Sequence, residues 1–499
     1  MNARVSILLA ALLMLVHALS YLDAGPVDDD FICYRYARHL VNGDGLVFNP
    51  GEVFEGYTTP AWTLLMALLI RLGFDPVVHS HTIGILGAVV AVVAVGQAWR
   101  TRYPSAKWAP PAWILAATPA MAFHANAGLG TTLLAACLAL FWMAWEQSNA
   151  RGKAPCCAAA WLAVAIFVRQ ECVLFLLPFA WQEWRAGRVR TTIMASLCGV
   201  GWTAFRLVTY ERLLPVTYGV KKLPVLDDLG YGLTYLWDAT LLCGFGVFVV
   251  LAWMPVRRTA KHRAAPLAGI AAGLTLHTTY VVWVGGDFVP WARFFVPTLP
   301  LAVGLGCLAY HHWRRLAVIA VPGVMLALQW PSMISLANPS AEGRVHRFQD
   351  QIVAEQHWAK IGTWMKEVAP QGTRVATSPI GVIGWTSELE VIDILGLTHD
   401  GALGVEPNLD GVGMKGHHRS ATAYVLERMP EWVMLGNAWN DANGQLAVNP
   451  WEVELVLHPT FQSSYRQVRI SIPDVEPFDL FVRKDSPAPP NAGTTWTER

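Results

Sequence analysis

Residues 22–40, LDAGPVDDDFICYRYARHL, lie between two apolar runs, Val5–Tyr21 and Thr82–Trp99. A run of about 17–25 mostly apolar residues is long enough to cross a bilayer as a helix. The intervening stretch carries three consecutive aspartates, Asp28 to Asp30, in a chain of which only 15% is charged. An acidic segment between two apolar helices predicts a polytopic membrane protein with a polar loop at one membrane surface.

The composition of the whole chain agrees with this prediction. Of its 499 residues, 54% are hydrophobic, whereas soluble domains carry about 25% charged residues. A single water-soluble globule is therefore excluded, and a net charge of +1 argues against electrostatic binding of nucleic acid. All eight cysteines lie at or before Cys307, so the last third has no disulfide framework.

The charges divide the chain into two parts. Of the 36 acidic residues, 20 follow Pro339, whereas 24 of the 37 basic residues precede it. We therefore predict a membrane domain over 1–338, a C-terminal domain over 339–485 and a flexible tail over 486–499. Alternating patterns predict an α/β fold for the C-terminal domain. Its expected helix is Ser420–Arg428, and its expected strands are Arg374–Ser378, Glu390–Ile394, Trp432–Leu435, Val453–Leu457, Tyr465–Ile472 and Asp479–Arg483.

Eleven apolar segments are candidates for membrane helices. They are Val5–Tyr21, Thr82–Trp99, Trp108–Phe123, Thr131–Trp145, Cys156–Val168, Val173–Trp184, Thr191–Tyr210, Leu233–Trp253, Leu267–Val284, Phe294–Tyr310 and Leu316–Met333. The fifth and sixth are short, and a hairpin of two half-depth helices is equally compatible with them. The fold class we expect is an α-helical polytopic membrane domain of about 11 segments followed by a soluble α/β domain.

The loop charges predict the orientation. With the N-terminus inside, the inner loops hold 15 basic residues and only two acids, Glu146 and Glu183. Cytoplasmic loops are enriched in Lys and Arg, so the odd number of crossings places the C-terminal domain on the outer side of a bacterial inner membrane. A cleaved signal peptide over Met1–Gly25 is the alternative, but a retained anchor fits the parity of the crossings better.

The first outer loop, residues 22–80, is called the acidic loop below. Its residues 31–39 alternate in polarity at helical spacing, which predicts an amphipathic interfacial helix with aspartates at its N-terminus. A capped, solvated helix is compatible with this pattern. So is a carboxylate cluster that serves as general base or binds a divalent cation such as Mg²⁺, Mn²⁺ or Ca²⁺. Glu55, Tyr57 and Thr58 either belong to a turn or line a sugar pocket.

A few cations lie on the outer side, against the general trend. Internal ion pairs would explain some of them, namely Arg169 with Glu171 and Arg293 with Asp287. The alternative is a site for a lipid phosphate, because a guanidinium group donates two parallel hydrogen bonds to such a group. The candidates for this site are Arg206, Lys221, Lys222, Arg293 and Arg169.

Five motifs, in order, resemble those of bacterial GT-C glycosyltransferases, most closely the mycobacterial-type terminal β-(1→2) arabinofuranosyltransferases. They are DDDFICYRYAR with NGDGLVFNPGEVFEGYTTPAW, then VRQEC, LLPVTYGVKKL, VGGDFVPWARFFVP and VIDILGLTHD. Two departures stand out. Gly130 occupies the position of the Glu in the family's Ser-Gly-Leu-Glu-Thr, and Gln170 and Cys172 replace the Pro and Gly of its Arg-Pro-Glu-Gly.

The resemblance implies transfer of a sugar, with D-arabinofuranose expected, from a polyprenyl-phosphate donor to a cell-envelope glycan or glycoprotein. It implies that Asp29, with Asp28 beside it, activates the acceptor hydroxyl or, in a retaining reaction, acts as nucleophile. Sugar-pocket candidates are Glu55, Tyr57, Thr58, Tyr218, Asp287 and Glu171, and acceptor candidates are Asp393, His399 and Asp400. Two alternatives stay open: a hexose such as mannose, and a lipid-linked sugar flippase, which would show repeat symmetry.

Overall fold

A computed structural model describes residues 2–259, 261–289, 291–311, 346–410, 414–439, 445–489 and 495–498. The predicted segment Leu316–Met333 and the predicted domain boundary near Asn338 lie outside these ranges. Each of the other ten predicted segments coincides with a helix or with a broken series of helices. The helices that correspond to one segment each are Ala3–Leu19, Pro76–Arg102, Thr131–Ala150, Cys156–Val168, Val173–Arg185, Val189–Tyr210, Lys261–Trp283 and Leu299–His311.

Two of the predicted segments are broken, each at a residue that disfavours helix. Pro119 lacks a backbone N–H, and it separates helix Pro110–Ala117 from Pro119–His124. Gly244 has a left-handed φ of +67°, and the chain bends by 93° there between Val225–Cys243 and Phe245–Arg257. Within the described residues, three helices are long and apolar enough to cross a membrane, or four with this bent pair. The predicted count of 11 segments is thus not confirmed.

The short hairpin is present as two helices of 13 residues, Cys156–Val168 and Val173–Arg185. Each is about 20 Å long, which is less than the roughly 30 Å of a hydrocarbon core. The turn between them, called the hairpin tip below, contains Arg169 and Gln170.

The acidic loop folds into two helices, Asp28–Asn42 and Pro60–Arg71. The first was expected to be a solvated interfacial helix, but residues 32–37 are all buried. It packs between Pro60–Arg71 and helix Ile380–Ser387 of the C-terminal domain, and this double coverage explains why polar residues on it are buried. The second helix lies within the stretch expected to be loop, and Pro60 occupies its first turn.

The C-terminal domain contains a mixed six-stranded sheet, and the expected α/β fold is present. Its strands, numbered along the chain, are β1 (Arg374–Thr377), β2 (Glu390–Asp393), β3 (Trp432–Met434), β4 (Tyr465–Ser471), β5 (Phe478–Arg483) and β6 (Thr495–Glu498), in the spatial order β2-β1-β3-β5-β4-β6. The first three strands are parallel and the last three antiparallel to their neighbours. The helices are His346–Val368, Ile380–Ser387, Thr422–Arg428, Val453–Leu457 and Pro459–Ser464.

Two expectations for this domain are corrected. Val453–Leu457 is a helix and not a strand, because Asn449 and Glu452 form a capping box that starts a helical turn just before it. The tail expected to be flexible contains β6, which pairs antiparallel with β4. Its Thr and Trp residues are favoured in strands.

Side chains of the acidic loop complete the core of the C-terminal domain. The buried guanidinium of Arg35 donates to the carbonyl oxygens of Phe48 and Leu389, each at 2.7 Å, and to that of Gly384. The Asn49 amide donates to the Val391 carbonyl at 2.9 Å and accepts from the Val391 N–H at 3.2 Å, as a neighbouring strand would. The acidic loop is therefore one of the segments that fix the C-terminal domain in place.

Replacing Arg35 by Met should loosen this attachment. The change leaves buried carbonyl oxygens without a donor, and we expect a loss of about 3–5 kcal/mol of stability. Thermal unfolding of the detergent-purified protein, combined with limited proteolysis of the C-terminal domain, measures the effect. The exposed Arg71→Met is the matched control. Equal melting temperatures for the two variants would contradict the assigned role of Arg35.

Candidate active site

A cavity of 810 Å³ lies where the acidic loop, the hairpin tip and the C-terminal domain meet, a volume within the usual range of ligand sites. One end is polar and includes Asp29, Lys221 and Arg293. The other end runs between membrane-side helices and is lined by apolar groups. These are Ile166, Leu174, Leu176, Val200, Ala204, Leu207, Tyr280 and Trp283. The shape and lining therefore suit an amphipathic ligand.

The three consecutive aspartates have three different surroundings, because successive side chains on a helix are about 100° apart. Asp28 accepts hydrogen bonds from the backbone N–H groups of Gly381 at 3.2 Å and Val382 at 2.7 Å. Asp30 is buried and accepts from the Trp62 indole at 2.7 Å and from the Tyr34 hydroxyl. Of the three, Asp29 alone lines the cavity.

The charges around Asp29 keep it ionised. Burial on its own would raise the pKa of Asp29, but the positive charges of Lys221 and Arg293 outweigh it and hold the pKa below its ordinary value. Burial instead raises the pKa of Asp28 to about 7 and that of Asp30 to about 6. Asp29 is therefore the member of the acidic run suited to act as a base or nucleophile at neutral pH.

Asp30 also positions the loop in which the family's Glu is missing. Gly128 has a φ of +76°, and a Cβ there would lie 1.9 Å from the Asp30 carboxylate. Gly130, at the position of the Glu, has a φ of +64° and packs against the Trp62 indole, where a Cβ would come within 3.1 Å. The loop thus closes over Asp30 and Trp62 with a left-handed backbone that favours glycine.

Arg206 and Glu55 neutralise each other. Both are buried, and their two-pronged ion pair joins Nε to Oε2 and Nη2 to Oε1, the latter at 3.0 Å. The remaining Nη1 of Arg206 donates to Gln170 Oε1 at 2.6 Å and to the Leu213 carbonyl at 3.1 Å. The guanidinium is thus occupied, and Gln170 at the family's Pro position supplies one of its acceptors. We therefore assign Arg206 and Glu55 to holding the wall of the cavity.

The two ion pairs considered from sequence are both present. Arg169 Nε lies 2.5 Å from Glu171 Oε1. Arg293 contacts Asp287 at 2.5 Å and Asp29 at 3.2 Å. Asp287 reaches Arg293 because Gly285 and Gly286 precede it with φ values of +84° and +70°. Arg293 therefore links Asp287 to Asp29 and orients the Asp29 carboxylate.

Lys221 and Lys222 supply positive charge outside the ion pairs of the described residues. Both line the cavity, and neither forms an ion pair with any residue in the described part of the chain. The Lys221 ammonium lies 5.7 Å from the centre of the Phe288 ring, at the distance of a cation–π contact. Tyr57, Thr58 and Tyr218, expected in the pocket, line the same cavity. These two lysines are the best placed groups for a phosphate.

The three acceptor candidates do not line the cavity. Asp393 is buried and accepts from the backbone N–H groups of Leu395, Leu397 and Thr398 at 2.8, 2.5 and 3.1 Å. His399 donates from Nε2 to the Asp393 carbonyl, since its Nδ1 accepts from Gly401. Asp400 pairs with Arg212 at 3.3 Å near the surface. These residues shape the loop that brings Leu397 to the cavity.

The carboxylates considered for a divalent cation do not converge. Asp28 is held by backbone amides and Glu55 by Arg206, which leaves Asp29 by itself on the cavity wall. Within the ranges that the structure describes, there is no group of three or more His, Cys, Asp or Glu side chains placed to hold a metal ion.

Sequence comparisons identify similar proteins. A terminal beta-(1->2)-arabinofuranosyltransferase of Mycobacterium tuberculosis is 26% identical over 325 residues, which are 56% of this chain and 52% of that protein. A protein of the same name from Corynebacterium glutamicum is 26% identical over 346 residues, which are 59% of this chain and 50% of that protein. The chain thus spans about half the length of the curated relatives it matches. Residues 347–485 match a family model described as "Domain of unknown function (DUF8728)".

Comparison with solved structures shows the fold. ArnT from Cupriavidus metallidurans bound to undecaprenyl phosphate superposes with a TM-score of 0.51 at 12% identity, covering 78% of this chain and 85% of that one. The Archaeoglobus fulgidus oligosaccharyltransferase AglB, in complex with an inhibitory peptide and a dolichol-phosphate, gives 0.53 at 11% identity, covering 99% and 75%. The chain has a GT-C-like fold, and the resemblance inferred from its motifs is confirmed.

Gly128→Ala should disturb the site without touching the cavity. The added methyl group meets the Asp30 carboxylate and also imposes a left-handed backbone strain, for a combined loss of about 2–4 kcal/mol. Gly152→Ala is the control, because Gly152 has a similar φ of +62° but open space around it. It should lose only about 1 kcal/mol. Thermal unfolding compares the variants, and equal losses would contradict the close packing of Gly128 on Asp30.

Proposed function

We propose that this protein is a membrane glycosyltransferase that moves a pentofuranose from a polyprenyl-phosphate donor to a cell-envelope glycan or glycoprotein. The observation that carries the proposal is the largely apolar cavity, whose lining includes Asp29 together with two lysines, Lys221 and Lys222, that form no ion pair with the described residues. D-arabinofuranose is the sugar we favour, because both curated relatives are named as arabinofuranosyltransferases. A donor in the membrane is consistent with the undecaprenyl phosphate bound by ArnT.

The polar end of the cavity contains the groups that such a transfer requires. The bond from the anomeric carbon to the phosphate oxygen breaks, and the acceptor oxygen forms a new bond to that carbon. Lys221 and Lys222 would stabilise the negative charge that builds up on the departing polyprenyl phosphate. Asp29 would take the acceptor proton, or would attack the anomeric carbon itself if the linkage is retained. Both roles require the ionised carboxylate that its surroundings favour.

We place the reaction on the outer side of the bacterial inner membrane, with the N-terminus in the cytoplasm. Supporting this, Arg102 donates to Glu146 and to Thr259, so three of the predicted inner loops meet at one end of the helices. Three of the predicted outer loops likewise meet in the cavity, which is lined by Asp29, Arg169 and Lys221. The alternation of loop charge predicted from sequence agrees with this separation.

Asp29→Asn should reduce transfer at least about 100-fold, because the amide neither accepts a proton nor attacks a carbon. Asp28→Asn should keep transfer within a few-fold of the unmodified protein, since its Oδ1 can still accept one backbone hydrogen bond, and should lose about 1–2 kcal/mol of stability. The assay incubates the purified protein with synthetic polyprenyl-phosphate arabinofuranose and an arabinan acceptor, and measures polyprenyl phosphate release by mass spectrometry.

The same assay separates the alternatives. If polyprenyl phosphate is released from a polyprenyl-phosphate mannose donor and not from the arabinofuranose donor, the transferred sugar is a hexose and not a pentofuranose. Full activity of Asp29→Asn, or movement of the lipid-linked sugar across vesicles without any release of polyprenyl phosphate, would contradict the proposed transfer. Comparing the anomeric configuration of donor and product by NMR then assigns Asp29 as base or as nucleophile.

Lys221→Met should move the acid limb of the pH profile of kcat/KM to higher pH. The positive charge of Lys221 helps to lower the pKa of Asp29, so without it the pKa rises and a smaller fraction of Asp29 is ionised at a given acidic pH. Lys221→Arg keeps the charge and should keep the acid limb in place. If the acid limb of the Lys221→Met profile stays in place, the charge of Lys221 does not act on the group whose ionisation controls kcat/KM.

A further inference from the structure

A short segment of the C-terminal domain crosses the polar end of the cavity. We call Met414–Ser420 the strap. Its Arg419 donates from Nη1 to the carbonyl oxygens of Val220 and Lys222, both at 2.5 Å. Its His418 lies 3.1 Å from the Tyr231 hydroxyl. The strap therefore rests on the two membrane-domain elements, around residues 220 and 231, that flank the unpaired lysines.

The strap places Lys415 in the cavity wall. Its ammonium group forms an ion pair with Asp228, and both side chains are almost fully buried, at 5% and 6% exposure. The approach depends on Gly285, where a Cβ would lie 2.8 Å from Lys415 Cε. Asp228 is itself fixed, because it also accepts from the Leu223 N–H at 3.1 Å. Asp228 and the close packing at Gly285 thus fix the position of the Lys415 ammonium group.

We propose that Lys415 is a third lysine that binds the phosphate group of the lipid-linked donor. This inference rests on the proposed function. An ammonium group has three N–H donors, and Asp228 is the one acceptor within reach of Lys415 among the described residues. The cavity that Lys415 lines also holds Lys221 and Lys222, and a released phosphate monoester carries a charge of between −1.5 and −2 at neutral pH. The C-terminal domain thereby becomes part of the donor site.

The charge of Asp228 gives the proposal its sharpest test. If Lys415 binds phosphate, Asp228 competes with that phosphate for the ammonium group. Lys415→Met should then weaken binding of polyprenyl phosphate by roughly ten- to a hundredfold, whereas Asp228→Asn should strengthen it. If the pair were merely structural, both changes would remove the same ion pair and would weaken binding alike.

The experiment measures the affinity of the full-length protein in detergent for polyprenyl phosphate, with polyprenol of the same chain length and inorganic phosphate as separate probes. Lys415→Arg should bind like the unmodified protein. Lys360→Met, which removes an exposed lysine of the same domain that contacts the Asp474 carbonyl, is the matched control and should leave the affinity unchanged. Polyprenol affinity should stay the same in all variants, and competition by inorganic phosphate should weaken only in Lys415→Met.

The outcomes separate this inference from the proposed function. If the unmodified protein binds polyprenyl phosphate and Lys415→Met binds it equally well, the role of Lys415 is overturned while the proposed function stands. Weakening in both Lys415→Met and Asp228→Asn also overturns it. If the unmodified protein binds polyprenyl phosphate and polyprenol with equal affinity, the proposed function fails, and the role of Lys415 fails with it.

Discussion

The Asp28 carboxylate accepts two backbone hydrogen bonds at the start of helix Ile380–Ser387, and much of the molecule depends on this contact. Anions bind well at a helix N-terminus because its first N–H groups have no partner within the helix. Here the anion is part of the same chain and lies one residue before Asp29. This contact, one of several that attach the C-terminal domain, therefore also helps to set the rotation of the helix that presents Asp29 to the cavity.

The arrangement of charge in the cavity follows from the cost of burying it. An isolated buried ion is unfavourable, so most buried charges are paired. Arg206 is paired with Glu55, Arg169 with Glu171 and Lys415 with Asp228. Arg293 is shared by Asp287 and Asp29. Among the described residues that line the cavity, Lys221 and Lys222 are the cations outside these ion pairs. A site assembled in this way keeps its shape when empty and still attracts a group of negative charge.

How far the sequence predicts the site depends on the distance along the chain between interacting residues. The pairs Arg169–Glu171 and Arg293–Asp287 could be considered from the sequence as one of two alternatives, because a turn brings residues two to six positions apart within reach. The acidic partners of Arg206 and Lys415 lie 151 and 187 residues away and carry no local signal. For the same reason Asp28 was assigned to catalysis, since nothing near it in sequence points to Gly381. Hydrophobic periodicity, by contrast, located the helices, but it could not distinguish an interfacial helix from Asp28–Asn42, which is covered on two sides.

The loop at Gly130 contributes no carboxylate to the cavity. A Glu side chain there would meet the Trp62 ring, because a Cβ at Gly130 would come within 3.1 Å of it. With Gly130, that space is closed by the Trp62 ring against a left-handed backbone. The carboxylates that remain at the polar end, Asp228 and Asp287, are each held by a cation. Burial raises the pKa of Asp29, and the positive charges of Lys221 and Arg293 together lower it below its ordinary value. The ionisation of Asp29 therefore depends on the same kind of positive charge that we propose to attract the donor.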